Sequence, residues 1–234
     1  MSLSSDVISK LEKVTTATIT TMLLKKGIRH CWMRGAMPFS AAAGKRLIGP
    51  AFTLRFVPVR EDLATPASWG KPISTRAAIE AMPEGCIAVA DAMGVTTAGI
   101  FGDILCMRMM RRGVIALVTD GVVRDKAGVV ATGLPVWCQG TAAPASVNGL
   151  TFVGWQEPIA CGGVAVFPDD VIVADDDGVV LIPQEFVGFV AEEGEEHERY
   201  ESWVVSEVER GVPLPGLYPP NNDAKARYEA WKKK

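Results

Sequence analysis

The sequence predicts an α/β fold in a single compact domain. Three observations carry this. Helical spacing at the start of the chain gives way to short β-branched runs that alternate with helical segments. VIALVT (114–119) is a continuous apolar run of the kind found in a parallel strand covered on both faces. The chain has 234 residues, 48% of them hydrophobic and 22% charged, which is enough to bury a core without covalent staples. Residues 1–211 read as the domain and 212–234 as a C-terminal extension.

The elements follow in order. Val7, Ile8, Leu11 and Val14 keep helical spacing behind a cap at Ser4 or Ser5. A second helix, residues 16–26, stops at Gly27. Residues 28–46 contain Gly35, Pro38 and Gly44 and read as irregular. LIGPAFTLRFVPV (47–59) is rich in β-branched and aromatic residues and reads as a strand. A loop covers 61–72, a helix 73–82, and CIAVAD (86–91) a short strand. Residues 98–113 read as a loop and then a helix that stops at Gly113, followed by the VIALVT strand. DGVVRD (120–125) is a turn, and AGVVATGLPVWC (127–138) leads into another strand. Three strand-like runs fill 161–183, with DDDG (175–178) as a hairpin turn rather than a calcium loop, since the EF-hand register is absent. A long acidic helix covers 184–210. The Pro-rich, basic-ended tail after it reads equally as a surface extension or as an arm for a neighbouring subunit.

Composition excludes several classes. A net charge of −3 argues against a dedicated nucleic-acid binder. No apolar run is long enough for a membrane span, and the first residues lack the pattern of a secretory signal. The five cysteines (Cys31, Cys86, Cys106, Cys138, Cys161) are scattered and never spaced C-x-x-C, so they read as small buried apolar residues of a reduced, cytoplasmic chain. The two histidines, His30 and His197, lie near no plausible nucleophile. There is no phosphate-binding G-x-x-x-x-G-K-[ST], no dinucleotide-binding G-x-G-x-x-G and no G-x-S-x-G. Any chemistry must therefore rest on carboxylates, arginine and backbone amides, with or without a hard metal.

The stretch 99–125 carries that chemistry. Gly99 and Gly102 flank a loop feeding a helix that starts near Asp103. The first N–H groups of a helix lack intrahelical partners and form the positive end of its dipole, so residues 102–105 make a seat for a small carboxylate or phosphate. Asp103 also reads simply as the cap of its helix. Arg124 and Asp125 follow one helix and one strand later. They read either as a surface ion pair or, because ligands gather at the carboxyl ends of parallel strands, as the second half of one pocket.

The pattern G-D-I-L at 102–105, with D-x20-R-D from Asp103 to Arg124 and Asp125, resembles the family of 4-hydroxy-4-methyl-2-oxoglutarate aldolase and the regulator of ribonuclease activity A. LIGPAFTL (47–54), GLPVWCQGTAAP (133–144) and the run 161–183 extend the similarity over roughly residues 15–210. The resemblance implies a swivelling β/β/α fold, trimers or pairs of trimers, and a class II aldolase that releases pyruvate and also decarboxylates oxaloacetate. It implies that Asp125 binds a divalent metal (Mg²⁺, Mn²⁺ or another), that Arg124 contacts the keto oxygen, and that the amides of Gly102, Asp103, Ile104 and Leu105 hold the pyruvyl carboxylate of a small 2-oxoacid. It implies that Asp103 positions a water, and that a glutamate from a neighbour's C-terminal helix takes part. Glu195, Glu196, Glu198 and Glu201 are the candidates for the last. A non-catalytic regulator that binds a ribonuclease is the competing reading. A quinone methyltransferase, another activity attached to such sequences, has no Gly-rich cofactor loop here to support it.

Overall fold

The computed structural model describes residues 3–40 and 44–233. Part of the irregular 28–46 segment, residues 41–43, lies outside them. Two capped helices open the described chain. Ser4 accepts the Val7 amide (3.3 Å) to start α1 (Ser5–Leu11), and Thr15 accepts the Thr18 amide (3.1 Å) to start α2 (Thr16–Lys25). Their apolar stripe, Leu11, Val14, Ile19, Met22 and Leu23, is fully buried.

Ten strands follow among the described residues: β1 (Met37–Pro38), β2 (Leu47–Pro58), β3 (Ile87–Asp91), β4 (Ala116–Thr119), β5 (Val136–Cys138), β6 (Leu150–Trp155), β7 (Ile159–Cys161), β8 (Val164–Val166), β9 (Val171–Asp175) and β10 (Gly178–Ile182). The main sheet runs β1-β5-β4-β3-β2-β9-β10, and β6 also pairs with β2. The β2, β3, β4 and β5 strands are parallel neighbours. Crossover helices α3 (Thr75–Ala81), α4 (Asp103–Arg111) and α5 (Lys126–Thr132) join them.

The sheet curls until its ends nearly meet. Residues 32–38 fill the gap: the Met33 amide donates to Val179 O in β10 (2.9 Å), while β1 pairs with β5. Across the interior, Trp137 Nε1 donates to Asp175 O (2.9 Å). Strand alternation then sorts the side chains. Ile87, Val89, Ala116, Val118, Ile172, Ala174, Val179 and Leu181 point inward, and the β7–β8 hairpin adds Ile159, Cys161, Val164 and Val166 to that inner core. Ala88, Ala90 and Leu117 pack outward with residues of α3, α4 and α5. Val171, Val173, Val180 and Ile182 pack outward on α1, α2 and α6 (Val187–Glu209). Strands covered on both faces are why VIALVT is apolar throughout.

DDDG is the β9–β10 hairpin, and its first aspartate anchors the N-terminal helices. Asp175 accepts the Thr16 amide (2.9 Å) and hydroxyl (2.7 Å) and meets Arg46. All five cysteines are free and buried, and burial pushes the Cys86 and Cys106 thiols up to about 11 and about 12. No helix among the described residues is long and apolar enough to cross a membrane.

The structure differs from the sequence reading in several elements, among them the short strand β1 inside the irregular 28–46 segment. Residues 126–132, read only as a lead into a strand, form α5. Strands β6 and β7 occupy a stretch in which none was assigned. The tail contains a further helix, α7 (Asn222–Trp231), which folds back on its own chain. Leu217, Ala224 and Tyr228 bury against Trp203 and Val204 of α6.

Candidate active site

The two halves of the predicted constellation meet through backbone pairing. The loop before α4 runs beside the segment after β4: Ile100 N donates to Val122 O (3.0 Å), and Arg124 N donates to Phe101 O (2.9 Å). Gly99 lies so close to this segment that a Cβ there would sit 2.8 Å from Arg124 Cβ. Gly102, Asp103, Ile104, Leu105, Arg124 and Asp125 therefore line one cavity of about 280 Å³.

The N-cap of α4 is Gly102, not Asp103, and it supplies no side-chain cap. Asp103 occupies the first helical position, and its Oδ1 accepts the Ile104 amide (2.7 Å). Cys106 N closes the first turn onto Gly102 O (3.0 Å), so the Asp103 and Leu105 amides have no intrahelical acceptor. Among the described residues the Gly102, Asp103 and Leu105 amides have no acceptor and are the free donors of the seat, while the Ile104 amide is already held. Ile104 contributes a side chain that is 79% exposed at the rim.

Asp125 is left-handed (φ 54°, ψ 49°), an uncommon conformation for a residue with a Cβ. It precedes α5 as its N-cap, yet its carboxylate makes no capping bond there. Instead Oδ2 accepts from Arg124 Nε (3.1 Å) and lies against Gly102. Asp103 packs as tightly on the first turn of α5. A Cβ on Gly128 would lie 2.7 Å from both its Cβ and its Oδ2. The cavity thus holds two half-exposed carboxylates beside an arginine and a helix N-terminus.

Among the described residues no group of three or more His, Cys, Asp or Glu side chains could enclose a metal. The donors at hand are oxygens only, with Asp125 partly exposed and Asp103 on the same cavity. That set fits a hard divalent ion such as Mg²⁺ or Mn²⁺ held by few protein ligands, with water and substrate oxygens completing its shell. It does not fit a zinc cage.

The four candidate glutamates lie elsewhere in their own chain. Glu195 pairs with Lys13 (2.7 Å), whose hydrogen bond lowers its pKa. Glu198 accepts the Thr15 amide and hydroxyl (both 2.8 Å). Glu196 binds Lys232 (2.8 Å), and Glu201 meets His197 (3.1 Å) and the Tyr218 hydroxyl (2.6 Å). None lines the cavity. Trp69, Thr75, Arg76, Ala145 and Ser146, which the sequence did not single out, also line it.

A larger open hollow, about 560 Å³, lies beside Asp120, Arg34 and Gln139. Its carboxylate is already committed: Asp120 accepts the amides of Ala92 (2.8 Å), Gly94 (3.1 Å) and Gly162 (3.1 Å). That makes it a support for the loops after β3 and β7. The smaller cavity, with its free helix amides, is the better chemical site.

Fold and cavity together define an α/β protein with a curled sheet and a small cleft at the ends of its parallel strands. The RraA-like family model, described as Aldolase/RraA, matches residues 16–181, and the chain belongs to that family. A Streptomyces coelicolor structure, RraAS2, described as "an unusual member of the RNase ES inhibitor RraA protein family", is 33% identical. It covers 87% of this chain and 97% of its own, with a TM-score of 0.76. A Halalkalibacterium halodurans protein named "Putative 4-hydroxy-4-methyl-2-oxoglutarate aldolase" is 36% identical over 140 residues. Protein DlpA of Legionella pneumophila is 31% identical over 142 residues. These matches cover 59% and 61% of this chain, but 60% of the first relative and 22% of the second.

Proposed function

We propose that the protein is a divalent-metal-dependent lyase that cleaves a 4-hydroxy-2-oxoacid, such as 4-hydroxy-4-methyl-2-oxoglutarate, to pyruvate, and that also decarboxylates oxaloacetate. The observation that carries this reading is the convergence of the free α4 amides with Arg124 and Asp125 in one cavity. The amides of Asp103 and Leu105 take the substrate's 1-carboxylate. Arg124 donates to the 2-keto oxygen, and that interaction strengthens as the oxygen gains charge. Asp103 orients a water that accepts the proton of the 4-hydroxyl, and the C3–C4 bond then breaks. The carbonyl product leaves, and the pyruvate enolate takes a proton at C3. Loss of CO₂ from oxaloacetate gives the same enolate, so one set of residues serves both reactions. A metal held by Asp125 supplies Lewis acidity at the substrate oxygens when bound.

The chain assembles as a trimer or dimer of trimers in this reading, which brings a neighbour's C-terminal helix toward the cleft. The 33% identity with RraAS2 supports a second reading, a regulator that binds a ribonuclease. Such a binder has no use for an aspartate held in the left-handed region beside uncapped helix amides. The test is pyruvate release from 4-hydroxy-4-methyl-2-oxoglutarate and from oxaloacetate, with and without Mg²⁺. Metal-dependent release from either supports the lyase. No release from both, together with inhibition of an RNase E-type ribonuclease, supports the regulator.

A further inference from the structure

The lining of the cleft includes an arginine that has no ion-pair partner among the described residues. Arg76 sits in the first turn of α3, and its guanidinium lies over the Trp69 ring, 4.9 Å from the centroid. Nothing in the local helix accounts for a cation there. The first turn is the positive end of the helix dipole, where a basic residue is unfavourable. Its natural partner one turn on, Glu80, is taken: Arg108 binds it with two hydrogen bonds (2.8 and 2.7 Å), and Arg112 approaches it at 3.5 Å. Among the described residues no carboxylate comes within ion-pair distance of Arg76, whereas most of the other arginines have one. Stacking on Trp69 limits the freedom of the long side chain without using its N–H donors. The side chain is thereby held at the cleft wall with its planar fork unspent.

We infer that Arg76, seated on Trp69, is a specificity-determining residue that binds a second oxyanion on the substrate, distal to the carboxylate held by the α4 amides. This rests on the 2-oxoacid reading of the cleft. A guanidinium fork pairs bidentately with a carboxylate or a phosphate-type group, so the shared chemistry is a planar or tetrahedral oxyanion. An acid of equal length with an apolar end leaves Arg76 unmatched.

The test uses ligands that the enzyme cannot cleave, so it does not depend on turnover. Calorimetric titration compares 2-oxoglutarate, 2-oxo-4-phosphonobutanoate and 2-oxopentanoate, in Mg²⁺, on the wild type, Arg76→Met and Arg76→Lys. A dianionic ligand should bind the wild type roughly 10- to 100-fold more tightly than 2-oxopentanoate, the range for a hydrogen-bonded charge pair. The better of the two dianions identifies carboxylate or phosphonate as the matching group. Arg76→Met should bring that ratio to about one, and Arg76→Lys should restore only part of it. Thermal midpoints establish that the variants are folded. Equal binding of all three ligands by the wild type would overturn the assignment, and so would a preference that survives in Arg76→Met. Discrimination without pyruvate release from any 4-hydroxy-2-oxoacid or from oxaloacetate would sink the lyase reading and leave the subsite standing.

Discussion

The Asp125 carboxylate occupies the space that a side chain on Gly102 would need: a Cβ built there lies 2.5 Å from Asp125 Oδ2. The contact joins the N-cap of α4 to the N-cap of α5, two points more than twenty residues apart in sequence. It makes the glycine a requirement of space rather than of backbone freedom. Gly102→Ala should displace Asp125 by a fraction of an ångström or more. Misplacement on that scale costs roughly 10²-fold in turnover. The check is kcat beside the thermal midpoint. A large fall in kcat with little change in midpoint is expected, and wild-type turnover would show that Asp125 has room to move.

Arg124 is expected to act in the transition state. Arg124→Ala should lower kcat by about 10²–10³-fold, as loss of an oxyanion donor does. Arg124→Lys should recover little, because an ammonium cannot reproduce the planar fork. An effect confined to KM would instead mark Arg124 as a ground-state binding residue.

The two possible roles of Asp103 separate in one substitution. Asparagine keeps an oxygen for the Ile104 amide, so the helix start should survive in Asp103→Asn. A fall in kcat on the order of 10²-fold with an unchanged midpoint fits proton handling through a water. Unchanged kcat would reduce Asp103 to a first-turn helix residue.

Chelation tests Asp125. EDTA should abolish pyruvate release, Mg²⁺ or Mn²⁺ should restore it, and Asp125→Asn should respond weakly to either ion. Full activity after exhaustive chelation would remove the metal from the reaction.

Asp120 gives a stability prediction with a definite sign. Burial is the largest influence and raises its pKa above the ordinary 3.8, the nearby Asp91 adds to this, and the three backbone amides oppose it. A raised folded pKa means the folded state holds the proton more tightly than the unfolded state. The contribution of Asp120 is therefore full below the ordinary value and is lost as pH rises through the folded value. Asp120→Asn lacks that slope and turns one N–H toward a backbone donor, at a cost of about 1–3 kcal/mol. Urea midpoints of both proteins from acid to neutral pH should show the wild-type advantage shrinking as pH rises. An advantage that grows would reverse the sign.

Much of the fold was legible because local patterns decide it. The Ser4 cap, the Gly27 and Gly113 stops, the apolar VIALVT strand and the Asp-Gly hairpin each depend on a few neighbouring residues. The missed elements are those whose local pattern points elsewhere. Residues 126–132 contain Gly128 and the Val129–Val130 pair, poor helix formers, and become helical because α5 packs on α4 and ends at a left-handed Gly133. Strand β6 has Gly154 within it and takes its pattern from the bent β2 beside it. The helix in the tail is held by a cluster of aromatic residues on α6 that lie far from it in sequence.

The sequence by itself determined which residues are candidates for the chemistry: the glycines before α4, Asp103, Arg124 and Asp125. They could be picked out because residue type and spacing along one loop, one helix and one strand are local properties. Only the tertiary structure decided that these groups share a cavity, that Gly102 rather than Asp103 caps α4, that Arg76 lines the same cavity and that Gly128 packs on Asp103. The reason is that such contacts are fixed by the register between the loop before α4 and the segment after β4, down to the single bond from Arg124 N to Phe101 O. That register follows from the closure of the whole curled sheet, and no short stretch of residues contains it.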